Sequence, residues 1–155
     1  MTRREPAAGS AAPDFSARNQ HSEPVELSSL GAPALLMFYP FAFSRVCGSE
    51  LAEIAARWDE VRATGAAVLA ISCDAVHTLR AFAEELGAPP GLQLVSDFWP
   101  HGAISESYGA FSQAKGAPSR TSFLLGSGLT IQHIIEAAPA ESRDLDETLR
   151  LLRTL

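Results

Sequence analysis

Apolar residues divide the chain into strand-length and helix-length segments that alternate. Residues 34–39, Ala-Leu-Leu-Met-Phe-Tyr, are continuously apolar and stop at Pro40, and residues 67–72, Ala-Val-Leu-Ala-Ile-Ser, form a second such run. Runs of this length without alternation predict strands covered on both faces. Between them, Leu51, Ile54, Ala55, Trp58 and Val61 recur at helical spacing, which predicts one helix from Cys47 to about Ala63, closed by Gly65. The same spacing at Val76, Leu79, Phe82, Ala83 and Leu86 predicts a helix over 75–86 with Gly87 as its C-cap. Residues 92–95 read as a short strand. Asp97-Phe98-Trp99-Pro100 then turns into a short helix ending near Tyr108-Gly109. The apolar runs 121–125 and 129–135, split by Gly126-Ser127-Gly128, predict a hairpin. Leu145, Leu149 and Leu152 share one side of a last helix over 145–153. Near the start, residues 19–22 form a polar, hairpin-like stretch, and Val25-Glu26-Leu27 is a short strand candidate.

The order β-α-β-α-β, then a hairpin, then a helix predicts an α/β fold with a central mixed β-sheet flanked by helices, the thioredoxin-like arrangement. With 155 residues the chain can bury one real core. Residues 1–11 lack periodicity and are expected to be a flexible lead-in, with a single domain over 12–155. No apolar run approaches the roughly 20 residues that span a bilayer, so no membrane partner is expected. The start lacks the hydrophobic stretch of a signal peptide, and the expected location is cytoplasmic. A net charge of −6, with only Arg3-Arg4 as a basic pair, argues against nucleic acid as a partner.

Within this frame Cys47 carries the candidate chemistry. It joins the buried strand at 34–39 to the helix that follows and stands at or near the first helical turn. Free backbone N–H groups and the positive end of the helix dipole favour a thiolate there. The thiolate is the nucleophilic form of cysteine. Ser44, three residues earlier, offers a hydroxyl to the thiolate or to whatever it attacks. Taken alone, Cys47 could equally be a small buried hydrophobe, Ser44 a helix N-cap and Arg120 a surface charge.

Pro40, Ser44 and Cys47 stand in the spacing Pro-x-x-x-Ser-x-x-Cys, which resembles the active-site signature of peroxiredoxins, and Glu50 fits its extended form. Ala12-Pro13-Asp14-Phe15 is similar to that family's N-terminal motif. Arg120, just before the apolar run at 121–125, sits where the family carries a catalytic arginine. Residues 96–103, Ser-Asp-Phe-Trp-Pro-His-Gly-Ala, with Tyr108-Gly109-Ala110-Phe111, resemble the one-cysteine, alkyl hydroperoxide reductase E-like branch. Two departures stand beside the thiol: Ser44 replaces the commoner Thr, and Arg45 replaces a small residue.

The resemblance implies a thiol-dependent peroxidase acting on hydrogen peroxide, organic hydroperoxides or peroxynitrite, without a cofactor or metal. It makes Cys47 the attacking sulfur, Ser44 and Arg120 the groups that align the peroxide and stabilise charge, and Pro40 a shield over the thiolate. Glu50 would support an arginine. Trp99 and Phe98 would pack near the site or in a dimer interface, and His101 would be structural. The reductant would be an external thiol, mycothiol with mycoredoxin or thioredoxin, and the assembly a homodimer or higher homo-oligomer. Cys73, at the end of the 67–72 strand, is a candidate resolving thiol, although a packed cysteine without redox role is the preferred reading. A thioredoxin-fold redox or binding protein without peroxidase activity is the alternative; Cys47-Gly48-Ser49-Glu50 lacks the second cysteine of Cys-x-x-Cys.

Overall fold

The computed structural model describes residues 6–31, 33–138 and 140–155. A hairpin of β1 (Ser16–Asn19) and β2 (Pro24–Glu26) leads into β3 (Ala34–Phe38). Helices α1 (Arg45–Ala56) and α2 (Trp58–Ala63) connect it to β4 (Ala67–Ser72), and α3 (Val76–Leu86) leads on to β5 (Leu92–Ser96). Helix α4 (Ala103–Ser107) and a small ribbon, β6 (Phe111–Ser112) and β7 (Ala117–Pro118), precede the hairpin of β8 (Thr121–Leu125) and β9 (Ile131–Glu136). Helix α5 (Leu145–Leu152) ends the chain.

Seven strands make one sheet in the order β2-β1-β5-β4-β3-β8-β9. β3, β4 and β5 are parallel, while β8, β9, β1 and β2 join antiparallel, which is the mixed sheet the element order predicts. Both faces are covered, which explains the unbroken apolar runs. Leu35, Met37 and Tyr39 pack on one face with Val68 and Ala70 beneath α1, α3 and α5. Leu36 and Phe38 pack on the other with Leu69 and Ile71, against Phe15, Ile104, Tyr108 and Phe123.

Four details differ from the periodicity. The helix over 47–63 is broken at Arg57 (φ −106°, ψ 29°), whose guanidinium is drawn to Asp146 of α5 as well as to Glu53 and Glu60. Leu27 lies past β2 and opens a 3-10 turn with its side chain buried. The β6–β7 ribbon is too short to leave a pattern. The described part of the lead-in is tied to the sheet: Gly9 N–H donates to Ile131 O, Ile131 N–H to Ser10 O, and Ala11 bridges Thr130. Backbone pairing needs no apolar periodicity, so nothing in residues 6–11 announced it. Arg3 and Arg4 lie outside the described residues.

The parallel strands β3, β4 and β5 end at one edge of the sheet. The segments that follow them, 40–44, 73–75 and 97–102, are therefore neighbours.

Candidate active site

Pro40 ends β3, because a residue without an N–H cannot continue the ladder that closes with Tyr39 N–H on Ile71 O. Residues 40–44 then turn into α1, with Ser44 at the N-cap and Cys47 in the first turn. Cys47 is fully buried, in one apolar cluster with Tyr39, Leu51, Leu79 and Phe82. The Ser44 hydroxyl does not cap the helix; it donates to Phe41 O at 2.9 Å, which leaves its lone pairs as acceptors. Phe43 adopts a left-handed backbone (φ +66°), which costs a non-glycine residue about 1–2 kcal/mol. Its ring packs on Phe82 with centroids 5.0 Å apart.

Glu50 lies one turn beyond Cys47, so their Cβ atoms are about 5–6 Å apart on one helix face. Its carboxylate is buried between two arginines. Arg120, just before β8, donates from Nη1 to Oε1 at 2.8 Å. Arg143, just before α5, donates from Nε to Oε2 at 2.8 Å, from Nη2 to Oε1 at 3.0 Å and from its own backbone N–H to Oε2 at 2.7 Å. Arg143 Nη1 also reaches Phe38 O at 2.7 Å, which fixes it to the end of β3. Burial alone would push the Glu50 carboxyl up, but the bonds and charge of Arg143, and then the charge of Arg120, hold it below its ordinary value. Among the described residues, two guanidiniums thus surround one carboxylate a helical turn from Cys47. The first turn of α1 adds free backbone N–H groups beside the sulfur.

A second network closes the β4 end of the loop. Asp74 Oδ2 accepts from Ala42 N–H at 2.9 Å and from the Ser72 hydroxyl at 2.7 Å. Tyr39 Oη is buried beside them and has no hydrogen-bond partner among the described residues. The Ser72 hydroxyl influences the phenol but is committed to Asp74, and burial keeps the phenol protonated.

Cys73 leaves the same sheet edge as Cys47 but on the opposite face. Strand alternation sends Ser72 toward the thiol side and Cys73 toward α4. There Asp97 accepts from Ile104 N–H, Ser105 N–H and the Ser105 hydroxyl. Burial first, then Asp97 and Asp74, push the Cys73 thiol up to about 12, against a smaller opposing influence of the Gly102 amide and the Ser105 hydroxyl. Both cysteines are free thiols. Trp99 does not pack against the thiol cluster among the described residues: it is 83% exposed. Phe98 is half exposed beside it. His101 bonds Gly116 O at 2.7 Å and packs edge-on to Phe111.

The structure thus brings Pro40, Ser44, Cys47 and Glu50 together with Arg120, and keeps Cys73 and Trp99 apart from them. Arg143 is the residue that sequence reasoning missed. It stands among acidic and polar neighbours before α5 and looks like a surface charge; only the fold sets it on a carboxylate 93 positions away.

Comparisons with known proteins identify the family and the fold. The model of the AhpC/TSA family matches residues 8–134. The chain is similar to alkyl hydroperoxide reductase E of Mycobacterium tuberculosis, with 36% identity over 138 residues, 88% of this chain and 89% of that protein. It is also similar to the chloroplastic peroxiredoxin Q of Sedum lineare, with 28% identity over 95% of this chain and 78% of that one. Among solved structures, the peroxidoxin BcpB of Mycobacterium tuberculosis superposes with a TM-score of 0.85 at 26% identity, covering 97% of this chain and 99% of that chain. With a family model that matches most of its length and a relative 36% identical over 88% of it, the chain belongs to the AhpC/TSA family of peroxiredoxins.

Proposed function

We propose that Cys47 is the sulfur with which this thiol-dependent peroxidase splits peroxides. Its thiolate donates an electron pair to the terminal oxygen of the peroxide; the S–O bond forms as the O–O bond breaks, and the departing oxygen takes a proton and leaves as water or an alcohol. Ser44, its proton committed to Phe41 O, accepts the peroxide O–H and aligns it. Arg120 stabilises the charge spreading over the two oxygens. Pro40 covers the sulfur, and Glu50 with Arg143 holds Arg120 in place. The observation that carries this reading is the fully buried Cys47 one turn from a carboxylate clamped by two buried arginines.

The remaining cycle uses an external thiol. It condenses with the Cys47 sulfenic acid, releasing water and forming a mixed disulfide that a second thiol opens. The placement of Cys73 on the other face of the sheet supports a one-cysteine cycle. Similarity to a protein named alkyl hydroperoxide reductase E supports organic hydroperoxides as substrates beside hydrogen peroxide. For the reductant, the motif resemblance implies mycothiol with mycoredoxin, or thioredoxin. Such a reductant suits a cytoplasmic working place, and among the described residues no helix is long and apolar enough to cross a membrane. Phe41, Phe43, Phe98 and Trp99 stand exposed on neighbouring segments at one sheet edge, which supports a homodimer formed through that edge.

Mixing reduced protein with one equivalent of hydrogen peroxide and trapping sulfenic acid by mass spectrometry tests the core of this reading. An adduct at Cys47 within minutes, absent from Cys47→Ser, is the expected result. A protein that leaves Cys47 unmodified is not a peroxidase of this kind.

A further inference from the structure

We infer that Asp74 is a positioning residue for the peroxide reaction: its carboxylate, mounted on Ser72, holds the Ala42 amide and so fixes the 40–44 segment over Cys47. The inference rests on the peroxidase reading and adds to it a residue outside the Pro40–Cys47 motif.

The 40–44 segment needs an outside hold. Its aromatic residues Phe41 and Phe43 are about half exposed, and Phe43 sits in the left-handed region. The segment's own bonds, Ser44 N–H and Ser44 Oγ to Phe41 O, are local and do not fix it relative to the sheet. Among the described residues, the bond from Ala42 N–H to Asp74 Oδ2 is the one hydrogen bond joining residues 40–44 to a segment outside β3 and α1.

Asp74 is itself well mounted. Its carbonyl accepts from the Ser96 hydroxyl at 2.7 Å and its carboxylate from the fully buried Ser72 hydroxyl at 2.7 Å. Ser72 is in turn held in the ladder to β5. A charged acceptor makes the stronger class of hydrogen bond to a backbone N–H. The carboxylate therefore transmits the rigidity of the β4–β5 edge to the residues that align the peroxide. A negative group this close to the site works against an anionic sulfur, so its contribution is geometric rather than electrostatic.

Two reactions of Cys47 separate these effects. Peroxide oxidation needs alignment; alkylation by iodoacetamide needs only an accessible thiolate. Asp74→Ala is expected to slow oxidation by hydrogen peroxide about tenfold to a hundredfold while alkylation of the now less covered Cys47 speeds up. Asp74→Asn keeps an acceptor for the Ala42 amide and a partner for Ser72, and should restore the peroxide rate to within about threefold of wild type. Ser72→Ala, which removes the mount and leaves both the segment and the carboxylate, should give the Ala pattern in weaker form. The double variant should then be no slower than Asp74→Ala, as expected for two groups acting through one contact.

Oxidation and alkylation rates both unchanged in Asp74→Ala overturn the inference. So does an Asp74→Asn variant as slow as Asp74→Ala, or additive losses in the double variant. If Asp74→Ala does not fold, Ser72→Ala and Asp74→Asn decide by the same criteria. Failure of the peroxidase reading looks different: wild-type protein would alkylate at Cys47 yet ignore peroxide, while the alkylation arm would still report on the hold.

Discussion

Arg120 and Cys73 show how one residue type reads differently in sequence and in space. Arg120 is exposed by pattern and buried in fact, paired to the Glu50 carboxylate of α1 at 2.8 Å. Arg120→Ala should slow Cys47 oxidation by about a hundredfold to a thousandfold, the usual effect of removing one donor to a developing anion. Stopped-flow oxidation with hydrogen peroxide checks this. Cys73, pushed up to about 12, stays a thiol at neutrality and is a poor attacking group. Cys73→Ser should leave turnover with a small-molecule thiol nearly unchanged. An intramolecular disulfide lost together with turnover in that variant would contradict the one-cysteine cycle. Cys47, Ser44 and Arg120 were legible because their spacing lies within a motif or beside a recognisable strand. Arg143 and Asp74 were not, since each meets its partner only across the fold.

At the scale of elements, Glu50 joins three pieces: α1, the start of β8 through Arg120, and the entry to α5 through Arg143. Removing one member of a buried ion cluster strands the others, so Glu50→Ala should cost about 3–5 kcal/mol in urea unfolding. The carboxyl is held below its ordinary value of 4.5. The folded state thus binds that proton less readily than the unfolded chain. Its stabilisation is fully present above pH 4.5 and is lost as the pH falls through the lower native value. Glu50→Gln should flatten that part of the melting-temperature profile; an unchanged acid limb would show that other carboxylates set it. Helix α5 carries a separate device: Asp144 caps it by accepting from Asp146 N–H at 3.0 Å and Glu147 N–H at 3.3 Å. Asp144→Ala should cost about 1 kcal/mol and also loosen the neighbouring Arg143. The helix broken at Arg57 looked continuous in sequence because both halves keep their apolar stripe; at the break Arg57 pairs with Asp146 of α5 at 2.7 Å.

For the whole molecule, three parallel strands ending at one edge set the Cys47 segment and the exposed aromatics along that edge. Phe41, Phe43, Phe98 and Trp99 belong to segments far apart in sequence that leave the same edge on either side of the β4 end. If the edge is covered by a second copy, Trp99→Glu should shift the sedimenting species from dimer toward monomer while Cys47 remains oxidisable. A dimer untouched by that change would place the interface elsewhere.

Periodicity and punctuation by themselves determined the α/β class, the central strands, the two long helical regions and the position of Cys47 at a strand-to-helix junction, because these depend on local spacing and on which residues avoid water. Tertiary structure alone decided that Glu50 is shared by two arginines, that Cys73 faces away from Cys47, that Trp99 is uncovered and that Asp74 reaches Ala42. Those outcomes depend on strand order and on which face of the sheet each side chain takes. A linear pattern gives the period of a strand but not its neighbour.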